Sequence, residues 1–386
     1  MNVIIDHNWT MEMWRPVVRE FIDLLQAHAL SATLKQYALD PEAGTVSPPP
    51  PTAPESDARE LGIFITDGLG SLWQRGKAHD LLCTWAARQP LGVVHLLPRT
   101  LWDSSGIRAT RQSFRASTPG QPNTDLQVET QEGISTTFCP VPTLELNQED
   151  LEAWGRLVVQ GARTILYCIL AQPDAALPAQ RQDDALTHQP FVTQQTGQDV
   201  RSEALERLEL FRTSASREAQ FLANALSVLP LNIAVMHRTQ ESLLPRHGPE
   251  LFSELFIAQL IHPVVAHERL RRIDRVTFDF APGVREELVS GLNQQWTGDL
   301  FTATAVFLDE DLGIPFVSTW RDLIESPSGI ALEEITDVSV PFLRVELTVL
   351  EALSGPYRSR ARRLREALAH HEESSLAAAA PSSTAP

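Results

Sequence analysis

The sequence predicts an α/β protein in which a doubly wound parallel sheet is followed by a mostly helical region. In the first 171 residues, short apolar runs alternate with segments whose apolar residues recur at helical spacing. This alternation is typical of a parallel sheet covered by helices on both faces. From about residue 200 the helical spacing continues with few strand-like runs. We therefore predict a doubly wound domain over 1–171, a linker over 172–200, a helical region over 201–370 and a disordered tail over 371–386.

Composition narrows the class of protein. The chain has 386 residues, 43% of them hydrophobic, which is enough for packed cores in two or three domains. No run approaches eighteen apolar residues, and the N-terminal residues lack the basic region of a signal peptide. Cys83, Cys139 and Cys168 show no disulfide or metal spacing and are interpreted as small buried hydrophobic residues, so we expect a cytoplasmic protein with reduced thiols. The formal net charge of −17 argues against a general nucleic-acid binder and against adhesion to an anionic membrane.

The first domain is predicted to contain five strands, three helices and two long loops. The proline-rich segment 47–54 is predicted to be an extended loop, and segment 99–135 a loop with a small hairpin. The predicted strands are 3–5, 33–39, 61–68, 91–98 and 136–141, and the predicted helices are 11–30, 77–88 and 149–170.

The second region shows three helical segments followed by a strand, which is the outline of a winged helix. The pattern therefore predicts a winged-helix-like region. The basic stretch 357–365 is interpreted as a solvated helix end rather than a nucleic-acid patch. The predicted helices are 215–228, 231–244, 249–261, 284–292 and 297–325, the predicted strand is 276–282, and 338–368 is expected to run from strand to helix.

Three oxygen-bearing side chains follow the first predicted strand at alternate positions. Asp6, Asn8 and Thr10 lie on a loop at the carboxyl edge of the predicted sheet, where open α/β folds bind ligands. Alternate residues of an extended loop point the same way, so the three can converge on a hard cation. Asp67, at the end of another strand, supplies a second carboxylate. We therefore predict a metal site formed by Asp6, Asn8, Thr10 and Asp67, with Mg²⁺ as the candidate ion.

This spacing resembles the metal-dependent adhesion motif of von Willebrand factor A domains, Asp-x-Ser-x-Ser with later Thr and Asp ligands. Several ordered segments resemble one actinobacterial family, called "SAV N-terminal domain-related", over most of residues 1–370. The resemblance implies a von Willebrand A-like fold for the first domain. The segments that carry it are 6–14, 66–70, 96–102, 106–108, 229–236 and 278–286.

The chain departs from the adhesion motif at the two serine positions, which are Asn8 and Thr10. A threonine hydroxyl and an asparagine carbonyl can both ligate a cation. With only two carboxylates, however, such a set would hold a divalent ion weakly. The alternative is that Asp6 caps the following helix and Asp67 caps its own turn.

The resemblance implies a non-enzymatic adaptor or regulatory protein. Members of the family look like components of bacterial conflict or signalling systems that pair with AAA+ or STAND-type NTPases, so the expected partner is a protein of that kind. On this hypothesis Asp6, Asn8, Thr10 and Asp67 form a docking rim at the carboxyl edge of the sheet. No residue is assigned a catalytic role, and we expect no membrane partner and no nucleic-acid partner.

Two other classes of function stay open. The first is a metal-dependent hydrolase that uses Asp6 and Asp67 around a cation, with His7 or His95 as the general base. The second is a winged-helix transcriptional regulator, although its candidate DNA-reading helices carry glutamates and few basic residues. A nucleotide-hydrolysing phosphate loop at 70–78 is excluded, because five residues separate the glycines where four are required and Ala78 follows the lysine.

Overall fold

A computed structural model of the chain divides into two units, Met1–Val192 and Thr193–Pro386. In the part of the chain that the structure describes, no helix is both long enough and apolar enough to cross a membrane. The described residues are 1–28, 33–49, 60–130, 133–134, 139–171, 197–272, 276–292, 335, 340–353 and 355–379.

The apolar runs of the first unit pair into one mixed sheet, and four α-helices of the described residues accompany it. The strands are β1 (Asn2–Asp6), β2 (Lys35–Leu39), β3 (Val46–Ser47), β4 (Gly62–Thr66), β5 (Leu91–His95), β6 (Thr110–Arg115), β7 (Gln127–Thr130), β8 (Gly133–Ile134), β9 (Cys139–Glu145) and β10 (Thr164–Ala171). The helices are α1 (Arg15–His28), α2 (Ser71–Gln74), α3 (Ala78–Ala86) and α4 (Gln148–Gln160). Within the described residues the sheet has ten strands, in the order β3-β2-β1-β4-β5-β9-β10-β6-β7-β8.

The centre of the sheet is parallel. Strands β2, β1, β4, β5 and β9 all run in the same direction. From β1 the chain passes through α1 to β2 on one side, and from β4 it passes through α2 and α3 to β5 on the other. The direction of winding therefore reverses between β1 and β4, which makes their carboxyl ends the topological switch point of the sheet. Because such crossovers are right-handed, α1 and α3 cover opposite faces.

Each face of the parallel centre is closely packed. On one face, Ile4, Phe64 and Val93 belong to a buried apolar cluster that includes side chains of α2 and α3. On the opposite face, α4 approaches so closely that a Cβ atom at Gly92 would lie 2.9 Å from the Trp154 ring. This packing on both sides fixes where each strand ends, and so positions the loops at the switch point.

The prediction of a doubly wound parallel sheet is correct only for these central strands. Strands β10, β6, β7 and β8 extend the sheet through antiparallel pairs, and β3 is antiparallel to β2. Segment 99–135, expected to be a loop with a small hairpin, supplies β6, β7 and β8. In β6 Phe114 is the one fully buried residue, so the strand lacks the continuous apolar run that marks a central strand.

The single helix predicted over 149–170 is wrong. Helix α4 ends at Gln160, Gly161 adopts a φ of 65° as its C-cap, and β10 starts at Thr164. Glycine just after the last turn is the usual helix stop, and the β-branched and aromatic residues that follow favour a strand. An apolar run alone does not distinguish a buried helix from a buried strand.

The second unit is mostly helical, as predicted. A short antiparallel pair, β11 (Ile261–Pro263) and β12 (Phe278–Phe280), follows the first four helices, and Leu231 forms an isolated bridge to Phe278. Ser216 and Asn232 cap two of the helices by accepting a hydrogen bond from the backbone three residues on. The helices are α5 (Gly197–Ser214), α6 (Arg217–Ser227), α7 (Ile233–Leu243), α8 (Glu250–Ile257), α9 (Val284–Ser290), α10 (Val340–Leu353) and α11 (Arg358–Ala379).

Several boundaries of the second unit differ from the prediction. Helix α5 begins inside the predicted linker, whose remaining residues 172–196 lie outside the described part of the chain. Residues 371–379, expected in the disordered tail, continue α11, in keeping with the high helix propensity of alanine. Segment 338–368 contains two helices rather than a strand and a helix. The predicted helix over 297–325 and the tail from residue 380 also lie outside the described residues.

Candidate functional site

Two aspartates meet at the switch point of the sheet. Asp6 is the last residue of β1, and Asp67 directly follows β4. Because the two strands are parallel and in register, with Ile5 opposite Ile65, both carboxyl groups reach the same edge. Their side chains are close enough for the charge of Asp6 to act on Asp67, and both residues are buried, at 2% and 0% exposure. The structure thus brings together the two carboxylates that the sequence predicts in one site.

The Asp6 carboxylate is surrounded by hydrogen-bond donors. Its Oδ1 accepts from the backbone N–H of Asn8 at 3.0 Å. Its Oδ2 accepts from the Thr66 hydroxyl at 2.8 Å and from the Trp73 indole N–H at 2.9 Å. Burial raises the pKa of Asp6, and these three hydrogen bonds oppose that rise.

The Asp67 carboxyl group receives fewer hydrogen bonds than that of Asp6. Its Oδ1 accepts a hydrogen bond from the backbone N–H of Leu69 at 3.0 Å, but its buried Oδ2 has no hydrogen-bond partner among the described residues. Burial, and then the neighbouring charge of Asp6, raise the pKa of Asp67 to about 7, although the nearby Thr10 hydroxyl acts in the opposite direction. At neutral pH Asp67 is therefore protonated in a substantial fraction of molecules.

Asn8 and Thr10 complete one connected network. The Asn8 side-chain N–H donates to Thr10 Oγ1 at 2.7 Å, and both side chains are buried. The four residues predicted to form a metal site therefore lie together. The capping alternative is also present in part, since Asp6 and Asp67 each accept from the backbone N–H two residues further on, which stabilises their own turns.

The oxygen atoms of this network are poorly suited to bind Mg²⁺. Mg²⁺ prefers six oxygen ligands and usually keeps several waters, whereas these side chains are at most 7% exposed. Both oxygens of Asp6 already accept hydrogen bonds, which leaves Asp67 Oδ2 as the open acceptor. Within the described ranges, no group of three or more His, Cys, Asp or Glu side chains could hold a metal ion. The metal site at these four residues stays a prediction.

The loops above the carboxylates interlock. Gly68 has a φ of 69°, and a Cβ there would lie 3.0 Å from the Ile107 side chain, so a larger residue would be strained and crowded. The backbone N–H of Gly106 donates to the Gly68 carbonyl at 2.8 Å. A Cβ at Gly106 would lie 2.7 Å from the backbone nitrogen of Gln74. The loops that follow β4 and β5 therefore form one packed surface with α2.

A salt bridge ties this surface to the next strand of the sheet. Arg99, in a 3₁₀ helix over Arg99–Ser104, donates to both carboxylate oxygens of Asp150 at 2.5 and 2.6 Å. Its Nε lies 3.3 Å from Glu145 at the end of β9, and its guanidinium lies over the Tyr167 ring. Both hydrogen bonds to Asp150 come from Nη2, so the guanidinium bridges two carboxylates and links the loop after β5 to α4 and β9.

His95, one of the two candidate bases for a hydrolase, is a structural residue. Its Nδ1 lies 3.3 Å from the backbone N–H of Leu97, which donates to it, so Nε2 carries the proton and donates to Ser105 Oγ at 3.2 Å. The ring stacks on Trp102, and complete burial lowers the pKa of His95 to about 3. A histidine held neutral in this way orders the loop after β5. His7, the other candidate, is exposed.

Thr66 and Trp73 were not identified from the sequence as site residues. Ile65 pairs with Ile5, so the parallel register places the next residue of each strand, Thr66 and Asp6, side by side. Trp73 lies in segment 70–78, whose spacing excludes a phosphate loop. That segment forms α2 and the start of α3, with Lys77 exposed. A tryptophan in an apolar segment indicates a buried indole, and a buried indole N–H usually donates a hydrogen bond to a nearby acceptor.

In the second unit, the helix that would read DNA in a winged helix is packed against its neighbours. Phe252 and Phe256 of α8 are buried. Glu254 of the same helix accepts hydrogen bonds from the backbone N–H and the hydroxyl of Ser216, at 2.6 and 2.7 Å. Helices that bind DNA present basic side chains to phosphates, and α8 contains two glutamates and no basic residue.

Comparison of the chain with family models, with curated proteins and with solved structures finds no match.

Proposed function

We propose that this chain is a non-enzymatic adaptor that docks a partner protein on the loops at the carboxyl edge of its parallel strands. The partner class, an AAA+ or STAND-type NTPase of a bacterial conflict or signalling system, comes from the family resemblance alone. The observation that carries the proposal is the buried carboxylate pair, which accepts hydrogen bonds from the loops after β1 and β4, from β4 and from α2.

A catalytic carboxylate must reach a substrate, whereas Asp6 and Asp67 are almost completely shielded from solvent. Asp6 accepts hydrogen bonds from Asn8, Thr66 and Trp73, which belong to three different segments of the chain. This arrangement supports a structural role in which the pair fixes the shape of the surface above it. The docking rim of our proposal is therefore the exposed part of these loops rather than the four buried side chains.

Two exposed arginines and one exposed aspartate, Asp103, lie on the rim of this acidic protein. Arg75 directly follows α2, Arg108 lies between β5 and β6, and both are exposed. Gly106 packs against the backbone of α2, so the segments bearing the two arginines are in contact. A basic patch on a chain with a net charge of −17 favours a partner with a complementary acidic surface.

The finer fold assignments belong to the same proposal. A von Willebrand A-like first unit is supported by the strand order β3-β2-β1-β4-β5-β9, which follows the doubly wound order 3-2-1-4-5-6, with the Asp6-x-Asn8-x-Thr10 spacing at its switch point. A winged-helix-like second unit is supported by helices α6, α7 and α8 followed by an antiparallel strand pair. In this proposal that unit also contacts proteins, since α8 is acidic.

The test is quantitative affinity purification of the tagged full chain from its own host, followed by mass spectrometry. The edge variant carries Arg75→Glu and Arg108→Glu. Its matched control carries Arg19→Glu and Arg156→Glu, the same charge change at exposed positions of α1 and α4. We expect the edge variant to recover an NTPase about tenfold less efficiently than the wild type, and the control to recover it normally. Equal recovery by both variants would contradict docking at this edge.

Parallel purifications with EDTA address the metal prediction. Recovery that survives EDTA means that docking needs no divalent ion, as the engaged Asp6 oxygens suggest. Because an NTPase also binds Mg²⁺ with its nucleotide, recovery that is lost with EDTA would assign a metal to Asp6, Asn8, Thr10 and Asp67 only if Asp67→Asn loses recovery as well. If no partner is recovered under either condition, the adaptor proposal fails, and a screen of phosphoesterase and esterase substrates with and without Mg²⁺ tests the hydrolase.

A further inference from the structure

All three cysteines of the chain lie in neighbouring elements of the first unit. Cys83 is on α3 and is partly exposed, contrary to the expectation that it is buried. Cys139 is the first residue of β9 and Cys168 lies on the adjacent β10, and both are buried as expected.

Cys83 and Cys139 face each other across the contact between α3 and the sheet. The two thiols are close enough for a hydrogen-bonding interaction that shifts the pKa of each. Cys139 belongs to the buried apolar cluster beneath α3, and Cys83 packs against the same cluster. Ile169 and Ala171 of β10 belong to the same cluster as Cys139. Because successive residues of a strand point to opposite faces, Cys168 lies on the other face of the sheet.

The two paired thiols have unequal chemistry. The hydrogen bond from Cys139 lowers the pKa of Cys83, although burial and the nearby Asp80 oppose this. The same hydrogen bond and burial raise the pKa of Cys139. Thiolate character and solvent access together make Cys83 the more reactive sulfur, with Cys139 beside it as a second thiol.

We propose that Cys83 and Cys139 are an oxidation site, at which a hydroperoxide converts the thiol pair into an intramolecular disulfide joining α3 to β9. The Cys83 thiolate attacks one peroxide oxygen, so that the S–O bond forms, the O–O bond breaks and hydroxide (for H₂O₂) leaves with a proton as water. The Cys139 sulfur then attacks the Cys83 sulfenic acid. The S–S bond forms, the S–O bond breaks, and the oxygen leaves as water with the Cys139 proton. Two thiols are oxidised and one peroxide is reduced to two waters.

The test uses the reduced full chain, treated with hydrogen peroxide, alkylated and digested with trypsin without reductant. Each cysteine lies in a separate tryptic peptide, namely 78–88, 116–156 and 164–181. We expect a linked species of peptides 78–88 and 116–156, lighter by two hydrogen atoms than their sum. The same species is expected in Cys168→Ser, the buried control, and in neither Cys83→Ser nor Cys139→Ala. In Cys139→Ala, where no second thiol follows, dimedone should label Cys83 more strongly than in the wild type.

A wild-type digest in which Cys139 remains fully alkylated while Cys83 is oxidised would overturn the proposal. So would linkage through Cys168, or a disulfide found only between two molecules. The wild-type experiment decides the question without any variant, so a folding defect in Cys139→Ala leaves the test intact.

Discussion

Two buried pairs of ionisable groups in the described part of the chain are compensated differently. In the second unit Glu346 and Arg360 have opposite charges, 2.7 Å apart, with side chains 3% and 2% exposed. In the first unit Asp6 and Asp67 have the same charge, and hydrogen bonds from neutral groups compensate Asp6 more fully than Asp67. Burial raises the carboxyl pKa in each pair, but Arg360 opposes the rise at Glu346 while Asp6 adds to it at Asp67.

The difference separates a pair whose charges satisfy each other from a pair that leaves one buried oxygen, Asp67 Oδ2, open beneath the proposed docking rim. The opposite charges of Glu346 and Arg360 link α10 to α11 and require no additional ion or partner to compensate them. Two like charges at a switch point store unfavourable energy that a proton, a cation or a partner can relieve, and such groups concentrate at functional sites. The interpretation of segment 357–365 as a solvated helix end is wrong for Arg360, which is buried and pairs with Glu346.

The largest effect should come from breaking the opposite-charge pair. Arg360→Ala leaves the Glu346 carboxylate buried without its cation, so we expect the free energy of unfolding to fall by about 3–5 kcal/mol. Arg365→Ala is the matched control, because Arg365 pairs with Glu351 at the surface of the same two helices and should cost less than about 1 kcal/mol. Hydrogen exchange of peptides from α10 and α11 measures both losses. Equal losses would mean that burial does not distinguish the two pairs.

We expect the Asp6–Asp67 pair to make the free energy of unfolding depend on pH. The pKa of Asp67 is about 7 in the folded chain, above the value of about 3.9 expected when unfolded, so its favourable contribution is complete below about pH 4. It is lost as the pH rises from 4 to 7, by up to about 4 kcal/mol. Asp67→Asn cannot ionise and should gain stability relative to the wild type between pH 5 and 8. Urea denaturation at several pH values measures this difference.

Asp23→Asn is the control for that experiment. Asp23 is exposed on α1, so its replacement removes a carboxylate without changing the buried pair. We expect the difference between this variant and the wild type to stay constant over the same pH range. A similar pH-dependent gain in both variants would attribute the effect to net charge rather than to Asp67.

The smallest expected effect concerns the donors that compensate Asp6. Trp73→Phe removes the indole N–H from Asp6 Oδ2, and Trp85→Phe removes a buried indole N–H that has no partner among the described residues. The two changes delete the same atoms, so the difference between their stability losses isolates the hydrogen bond. We expect Trp73→Phe to cost about 1–3 kcal/mol more, as measured by urea denaturation at pH 8. A larger loss for Trp85→Phe would remove Trp73 from the site.

The sequence predicts the parallel centre well because its strands are short apolar runs ended by polar residues. That pattern placed the ends of β1 and β4, and the parallel register then brought Asp6 and Asp67 together. The antiparallel extension was missed because one face of β6 is exposed and its residues are largely polar. Helix α4 and strand β10 were merged because the apolar spacing continues across Gly161, the residue that separates them.

Within the site, local spacing predicted the residues that follow β1, but not the groups that reach them from elsewhere. Trp73 lies 67 positions from Asp6 along the chain, and its contact depends on how α2 packs over the sheet. The burial of the whole network also required the loop around Gly106, which closes against α2. Periodicity gives no information about such contacts, because it describes one element at a time.

A carboxyl titration of Asp67 tests most directly whether the pair at the switch point carries an uncompensated charge. Selective ¹³C labelling of aspartate carboxyl groups, with Asp67→Asn to assign the signal, reports its protonation in the full chain. We expect a midpoint near pH 7 that millimolar Mg²⁺ leaves unchanged. A midpoint below pH 5, or one that Mg²⁺ moves to lower pH, would contradict this and would return the four residues to the role of metal ligands.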